Sequence, residues 1–506
     1  MWSAYMSHRT ICTLDGLRKF RLQVRRCRKS GCRSYHRPYR PEEEGRLALP
    51  QHEFGLDVIA LVGSLRYPGH RSVPEIHREL LGRGLGLCER TVTNLLDRYD
   101  ELLAVRLSDS RRLQQITAAQ GRIILALDGL QPDVGHEVLW VLRDCLSGQV
   151  LLARSLLSGT QADLAGLIGE VKAALSVPVA GVISDGQHSI RNAVAAALPG
   201  VPHQLCHFHY LREAARPIYE MDRHAKKELK KRVRNIRPIE RQVEAKAAAG
   251  DRQAGAVLGY CSAVRSAITD DGRPPLESSG LKLHERLTAV SASLAKVEEK
   301  GGLPKELQKL KGIVDRGLAE TAALWPPVKL GFDLVHRAAG ILKNQDALAG
   351  SAVADRYQTL IHDANGQAAD AGKLKPAIEH FVKVTESYRP GLFHCYDAAD
   401  LPRTNNALEQ LFGSTRHHER RCTGRKVASP SLVLRGSVPV VAGLGTRART
   451  YRGEELAPRE IESWRTVRIQ LEHRRQTRVL PRRFRGNPVA YLQGLEDMLV
   501  KPALPT

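Results

Sequence analysis

The sequence predicts a multidomain α/β protein, with a mixed β-sheet core that is interrupted by an all-α insertion and preceded by a helix-turn-helix. Three observations lead to this prediction. Apolar runs alternate with helical patterns over residues 118–215, strand-like runs are almost lacking over residues 216–400, and helical patterns flank a glycine-rich turn within residues 51–110. The 506 residues suffice for three or four domains of about 100–200 residues each.

Composition favours a polyanionic partner. The chain has 77 Lys and Arg against 54 Asp and Glu, a net charge of +23. Binding a polyanion releases its counterions, so this excess favours nucleic acid, although a basic protein of another class remains the alternative. The 9 cysteines are scattered, which indicates reduced thiols in a cytosolic setting. The start MWSAYMSHRTIC lacks the apolar region of a signal peptide, and no apolar stretch reaches the roughly 18 residues of a membrane span.

The sequence predicts two small units in residues 1–110. Residues 1–50 form a basic segment in which RKFRLQVRRC alternates as a strand does, and RPYRPEEEGR is a linker. Residues 51–110 contain helical periodicity, a capping box from Ser72 to Glu75, and a glycine-rich break before CERTVTNLLDRYDELL. This pattern is typical of a helix-turn-helix, and a three-helix packing module is the alternative.

Residues 118–215 follow the element order β-β-β-α-β-α-β. The strands are predicted at RIILALDG, HEVLWVLRDCLSG, QVLLARSLL, VAGVISDG and HQLCHFHY, and the helices at QADLAGLIGEVKAAL and HSIRNAVAAAL. This is the order of a ribonuclease-H-like core. Asp128 closes the first apolar run and Asp185 closes the fourth.

The rest of the chain is predicted to be mostly helical. Residues 216–400 form an all-α insertion that separates Asp185 from Glu409. Residues 401–430 return to the core with the helix that carries Glu409, and residues 431–506 form a basic C-terminal region.

Three acids suggest phosphoryl-transfer chemistry. If Asp128 and Asp185 lie at the ends of strands at one edge of a sheet, they converge and can share a divalent cation, with Glu409 as a further ligand. Carboxylate oxygens suit Mg²⁺ or Mn²⁺, and two such ions about 3.5–4 Å apart can activate an attacking oxygen and stabilise a leaving one. The alternative for each aspartate is a turn cap, because Asp-Gly is also a turn signal.

The Glu409 helix offers a phosphate ligand as well. Arg416 follows Glu409 by two helical turns and lies on the same side. We expect Glu409 to bind metal and Arg416 to bind a phosphate, with an ordinary surface helix as the alternative.

Three segments resemble prokaryotic insertion-sequence DDE transposases of the Mutator-like group, whose ribonuclease-H-like domain carries a helical insertion. They are DGLQPDVGHEVLW, SDGQHSIRNAVAAALPGVPHQLCHFHYLREA and TNNALEQLFGSTRHHERRCTGRK. The resemblance covers about residues 40–430. It implies that Asp128, Asp185 and Glu409 are catalytic metal ligands for phosphodiester hydrolysis at element ends and for strand transfer into target DNA. Its Cys-x-x-His element falls on Cys206 and His209, which become auxiliary residues.

The resemblance also implies partners. The helix-turn-helix would bind the terminal inverted repeats of double-stranded DNA through Arg90, Thr91, Thr93 and Asn94, which front the second helix. The protein would act as a homo-oligomer on DNA, in the cytoplasm at the nucleoid.

The N-terminus departs from the resemblance, since such transposases often begin with a four-cysteine zinc ribbon. Only the loose pair Cys27 and Cys32 stands here, with Cys12 upstream and His36 downstream. Zinc sites use two close pairs, so we expect a degenerate ribbon without structural zinc. Two other functions remain open, a catalytically inactive domesticated DNA-binding protein and a ribonuclease-H-like nuclease.

Overall fold

The computed structural model describes residues 2–131, 137–367, 371–425 and 434–500. Parts of several predicted regions therefore lie outside the described residues. They are 132–136 in the sheet core and its first transposase-like segment, 368–370 in the insertion, 426–430 in the region of the Glu409 helix, and 431–433 with 501–506 in the C-terminal region. The chain divides into two compact units. The first comprises Met1–Val182, Ser189–Val201 and Asn406–Thr506, and the second comprises Ile183–His188 and Pro202–Asn405.

The first unit opens with a three-stranded antiparallel sheet. Strands β1 (Trp2–Thr13), β2 (Gly16–Arg26) and β3 (Pro38–Tyr39) lie in the order β1-β2-β3. The sequence predicted only one strand here, near β2. The first two strands instead form a long ribbon, because the two-residue connection after Thr13 lets Gly16 turn the chain at a φ of +107°.

Five helices follow in the same unit. They are α1 (Glu42–Leu47), α2 (Leu56–Arg66), α3 (Val73–Gly82), α4 (Glu89–Leu107) and α5 (Ser110–Gln120). The predicted capping box is present, with the Ser72 amide and hydroxyl both donating to Glu75 Oε2 at 2.7 Å. The apolar sides of α2, α3 and α4 share one core with Ala442, Tyr451 and Trp464.

A five-stranded mixed sheet confirms the α/β prediction. Its elements are β4 (Ile123–Leu130), β5 (Val138–Asp144), β6 (Val150–Leu156), α6 (Gln161–Ala174), β7 (Val179–Ser184), α7 (His188–Ala197) and β8 (His203–Leu205), and the strand order is β6-β5-β4-β7-β8. Strand β5 pairs antiparallel with both β4 and β6. Apolar residues of the strands and of α6 and α7 bury one another, as in a sheet covered by helices.

The last predicted strand is shorter than expected. Strand β8 covers only His203–Leu205, and helix α8 (His207–Ala214) begins two residues later. Cys206 therefore precedes a helix, and His209 lies on that helix rather than at the end of a strand.

The second unit is helical beyond β8. Its helices are α8, α9 (Arg216–Arg232), α10 (Arg237–Ala248), α11 (Arg252–Thr269), α12 (Ser279–Gly301), α13 (Lys305–Thr321), α14 (Trp325–Lys343), α15 (Gly350–Gln367) and α16 (Lys375–Tyr388). Short 3₁₀ turns cover Ala322–Leu324, Gly372–Leu374, Arg389–Gly391 and His394–Tyr396. Two buried apolar clusters hold these helices together, one around Phe332 and Phe381 and one around Leu287 and Trp325.

The first unit ends in further helices. They are α17 (Asn406–Thr423) and the helices Ser437–Ala448, Gly453–Leu456, Ile461–Gly486 and Pro488–Val500. Across the described ranges, no helix combines the length and the apolar character needed to span a membrane.

Candidate active site

The chain turns sharply at Asp185, directly after β7. The Asp185 Oδ1 atom accepts a hydrogen bond from the Gln187 amide at 2.9 Å, and Gly186 has a φ of +88°. Only glycine adopts this conformation without strain. The predicted Asp-Gly turn signal is therefore correct here, and α7 starts at His188.

Tyr388 packs over this turn. Its hydroxyl donates to the Asp185 carbonyl at 3.3 Å, and a Cβ on Gly186 would lie 2.6 Å from Tyr388 Cε1. The Tyr388 ring lies 5.4 Å from that of Tyr210, whose hydroxyl bonds Tyr357 at 2.7 Å. The backbone of Asp185 is thus fixed by a buried aromatic cluster of the helical insertion.

A cavity of about 540 Å³ opens beside Asp185 within the second unit. His209, Arg212, Arg216 and Arg223 are among its lining residues. The three arginines are spaced by four and seven residues along α8 and α9, so they follow one side of nearly continuous helix. They extend over about 16 Å at the helical rise of about 1.5 Å per residue.

The cavity is lined by the three arginines and by three carboxylates, those of Asp185, Glu213 and Glu220. Arg216 lies 3.4 Å from Glu213, in an exposed pair, whereas neither Arg212 nor Arg223 makes an ion pair with any described residue. Exposed guanidinium groups in a row bind phosphate oxygens, often through two parallel hydrogen bonds. The arrangement can therefore hold a polyphosphate backbone next to a carboxylate.

Cys206 is a structural link within the second unit. Its amide donates to the Ser184 carbonyl at 2.8 Å, and its buried Sγ accepts from the Asn405 amide at 3.3 Å. Ser184 immediately precedes Asp185, and Asn405 precedes Glu409 by four residues. Cys206 therefore fixes the backbone upstream of two of the three predicted acids, a positioning role rather than a catalytic one.

The neighbouring histidines differ from each other. His207 is buried and its Nε2 donates to the Leu392 carbonyl at 2.7 Å, and burial lowers its pKa to about 4. It is therefore neutral at pH 7 and structural. His209 contributes to the cavity wall together with Asp185.

Asp128 does not end its strand, so this part of the prediction is wrong. Strand β4 continues through Gly129 and Leu130, with Asp128 opposite Val141 and Gly129 opposite Trp140. The Asp128 side chain is 8% exposed, and its Oδ1 accepts from the Gly129 amide at 2.7 Å. Pairing with β5 outweighs the local turn tendency of Asp-Gly.

Glu409 lies in the first turn of α17 and is half-buried. The helix buries Leu408, Phe412 and Thr415, and Arg416 is exposed. A carboxylate in the first turn of a helix is favoured by the helix dipole. The helical spacing of Glu409 and Arg416 is as predicted.

Metal binding by the three acids stays a prediction. Asp128 and Glu409 belong to the first unit and Asp185 to the second. Within the described parts of the chain, no group of three or more His, Cys, Asp or Glu residues is arranged to hold a metal ion. The donors themselves fit Mg²⁺, since all are carboxylates and Asp185 lies at a solvent-accessible cavity.

The predicted DNA-binding residues front α4 in the first unit. Arg90 and Asn94 are exposed, whereas Thr91 and Thr93 are half-buried. The Thr93 hydroxyl donates to the Glu89 carbonyl one turn earlier in the same helix at 3.1 Å, so it already has a partner within α4. Arg90 and Asn94 are thus the better placed of the four to contact DNA.

The cysteines near the N-terminus do not form one group. Cys12 lies near the turn of the β1–β2 ribbon and Cys27 follows its other end, about 30 Å away at the rise of an extended strand. Hydrogen bonds from the Ser34 amide and from Cys27 lower the pKa of Cys32. Only Cys27 and Cys32 can therefore belong to a common site.

Sequence reasoning missed Tyr388 and the three cavity arginines. Tyr388 follows Asp185 by 203 residues, and no local pattern connects the two. The periodic spacing of Arg212, Arg216 and Arg223 is visible in the sequence and is the signal that could have found this row of arginines.

No protein-family model matches this chain, and no curated protein is significantly similar to it in sequence. The resemblance to DDE transposases therefore rests on the motifs of the chain itself.

Proposed function

We propose that this protein is a DDE-type DNA transposase with a ribonuclease-H-like core. The observation that carries the proposal is the cavity beside Asp185, where a row of arginines lies next to this carboxylate and those of Glu213 and Glu220. Such a pairing suits a phosphodiester, whose charge the arginines neutralise while the carboxylate serves the chemistry. The element order β-β-β-α-β-α-β, followed by a helical segment and a helix with Glu409, agrees with the resemblance.

The chemistry has two steps at one site. In hydrolysis, a water oxygen attacks the phosphorus at the element end and the bond from phosphorus to the 3′ oxygen breaks, which leaves a 3′-hydroxyl and a 5′-phosphate and releases one proton. In strand transfer, that 3′ oxygen attacks a target phosphorus, and the displaced target 3′ oxygen takes up the proton.

Different residues of the chain bind the metal ions and the phosphates. Asp128, Asp185 and Glu409 would hold Mg²⁺ or Mn²⁺, which supplies activation of the attacking oxygen and stabilisation of the leaving one. Arg212, Arg216 and Arg223 bind the flanking phosphates, and Arg416 is a further phosphate ligand. His209 orients the reacting phosphate. Positioning and electrostatics carry most of such a reaction.

The partners follow from the same proposal. Double-stranded DNA binds as terminal inverted repeats and as target, with Arg90 and Asn94 at the repeat. Two element ends must be held together, so the protein acts as a homo-oligomer at the nucleoid. The net charge of +23 supports a DNA partner.

The test uses the full-length chain and a supercoiled plasmid that carries the genomic DNA flanking its gene. With Mg²⁺ present, we expect nicks at the element ends and joined products. Asp185→Asn should lower the rate by about 10³-fold or more, since a metal ligand is lost. Asp333→Asn is the matched control, because Asp333 is an exposed acid of the same unit away from the cavity.

Three results would count against the proposal. Retained cleavage in Asp185→Asn refutes the site. Repeat-specific binding without metal-dependent nicking favours an inactive domesticated DNA-binding protein, consistent with the lack of a three-ligand cluster within the described segments. Cut ends that never join favour a nuclease.

A further inference from the structure

The ribbon formed by β1 and β2 has two chemically different faces. One face packs against the protein, with Ile11, Leu22 and Val24 buried. Of the cations on that face, the Arg9 guanidinium pairs with Glu44. This face anchors the ribbon.

The opposite face carries an exposed row of cations. Lys19, Arg21 and Arg25 alternate along β2 with the buried positions, because successive strand side chains point to opposite faces. Across the ladder, Thr10 faces Lys19 and His8 faces Arg21, and both are exposed. We name Lys19, Arg21, Gln23 and Arg25 the ribbon stripe.

The charge of the ribbon stripe is left for a partner. Neither Lys19, Arg21 nor Arg25 pairs with a carboxylate of the described residues. Residues 1–40 contain a single acid, Asp15, and its carboxylate lies 2.7 Å from Arg18 at the turn of the ribbon. Unneutralised cations on a rigid, solvent-exposed strand attract a polyanion.

The dimensions suit a DNA duplex. From Lys19 to Arg25 the stripe covers about 20 Å at the rise of an extended strand. The major groove of B-form DNA is about 12 Å wide and admits a two-stranded ribbon. The major groove of an RNA duplex is too narrow and deep to be read this way.

We propose that the ribbon stripe is a second DNA-binding surface, which enters the major groove of duplex DNA. Arg21 and Gln23 occupy its centre, and Gln23 Nε2 donates to Ser3 Oγ at 3.1 Å, which holds the amide on the exposed face. Arginine and glutamine recognise guanine and adenine edges through paired hydrogen bonds. Lys19 and Arg25 at the ends contact phosphates. The proposal extends the proposed function and needs none of the three catalytic acids.

The experiment measures DNA affinity by fluorescence anisotropy with the full-length chain and a mixed-sequence duplex. EDTA is present, so metal chemistry is absent. The variant K19Q/R21Q/R25Q should lower affinity by at least about tenfold and flatten the slope of log affinity against log salt concentration by about 2–3. These side chains are exposed and compensate no acid, so circular dichroism should report an unchanged fold.

The matched control is R46Q/R111Q/K172Q, which removes the same charge from exposed cations elsewhere in the first unit. In this control variant, we expect the slope of log affinity against log salt concentration to change by less than about half of the change in K19Q/R21Q/R25Q. Equal losses in the two variants would show that only net charge matters and would overturn the proposal. A larger loss for an RNA duplex or for phosphatidylserine vesicles than for DNA would also overturn it. The anisotropy result does not depend on DNA cleavage. A failure of the cleavage test would therefore contradict the proposed function without contradicting the proposal for the ribbon stripe.

Discussion

The chain has four Asp-Gly pairs, and two of them, Asp128-Gly129 and Asp185-Gly186, follow apolar strand residues and yet have opposite structures. At Asp128-Gly129 the strand continues, because β4 lies between β5 and β7 and Trp140 stands opposite Gly129. At Asp185-Gly186 the strand stops, and Gly186 turns the chain at a φ of +88° beneath Tyr388.

The difference shows what sets the conformation of such a pair. An Asp-Gly dipeptide favours a turn, and the packing of neighbouring segments determines whether that turn forms. A paired neighbour strand holds Asp128 in the sheet, where it is nearly buried. Asp185 has an aromatic ring above its turn and a cavity beside it, so it is the more accessible of the two.

Replacing each glycine by alanine tests this difference with the largest expected effect. Gly186→Ala should cost about 3 kcal/mol, because it combines a left-handed backbone with a Cβ 2.6 Å from the Tyr388 ring. Gly129→Ala should cost about 1 kcal/mol, since its Cβ would meet Val138 and Trp140 at 3.0 and 3.1 Å and the strand conformation suits alanine. Urea unfolding measures both.

Gly200→Ala separates backbone strain from crowding. Gly200 has a φ of +79° with open space around its Cβ position, so only the conformational cost of about 1 kcal/mol should remain. If Gly186→Ala were no worse than Gly200→Ala, the packing of Tyr388 over the turn would be wrong.

Asp144, at the end of β5, extends the comparison to a strand-end acid that is purely structural. It is fully buried and accepts hydrogen bonds from Ser147 and from the Ile124 amide. Asp144→Ala leaves buried donors unpaired and should cost about 3 kcal/mol, measured by urea unfolding at pH 7. Glu170→Ala, at an exposed ion pair, should cost less than about 0.5 kcal/mol.

The Asp144 effect has a defined pH dependence. Burial acts to raise the pKa of Asp144, but hydrogen bonds from Ser147 and Gln120 lower it overall. A lowered folded-state pKa stabilises the fold above the unfolded-state value of about 4. The difference between wild type and Asp144→Ala should therefore shrink as pH falls below about 4. A constant difference down to pH of about 2 would contradict the assignment.

A smaller loss of stability than for Asp144→Ala is expected at the backbone link of Cys206. Cys206→Ala removes the acceptor of the buried Asn405 amide and should cost about 1–2 kcal/mol, whereas Cys206→Ser keeps an acceptor and should cost less. If Cys206 positions the acids, DNA cleavage should fall in the alanine variant and recover in the serine variant. Equal cleavage in both variants would assign Cys206 to packing alone.

Local patterns in the sequence predicted much of the fold and only part of the site. The order of strands and helices from Ile123 to Leu205 and the capping box at Ser72 follow from apolar periodicity and from residues three apart. The extent of β4 beyond Asp128 and the ring of Tyr388 over Gly186 depend on contacts between distant segments. No pattern within one segment contains those contacts.

The binding of Mn²⁺ tests the central claim, that Asp185 together with Asp128 and Glu409 holds the catalytic ions. Electron paramagnetic resonance can count Mn²⁺ bound to the full-length chain on its flanking DNA. We expect wild type and Asp333→Asn to bind Mn²⁺ equally, and Asp128→Asn, Asp185→Asn and Glu409→Gln each to lose bound Mn²⁺. Wild-type Mn²⁺ binding in Asp185→Asn would contradict the account.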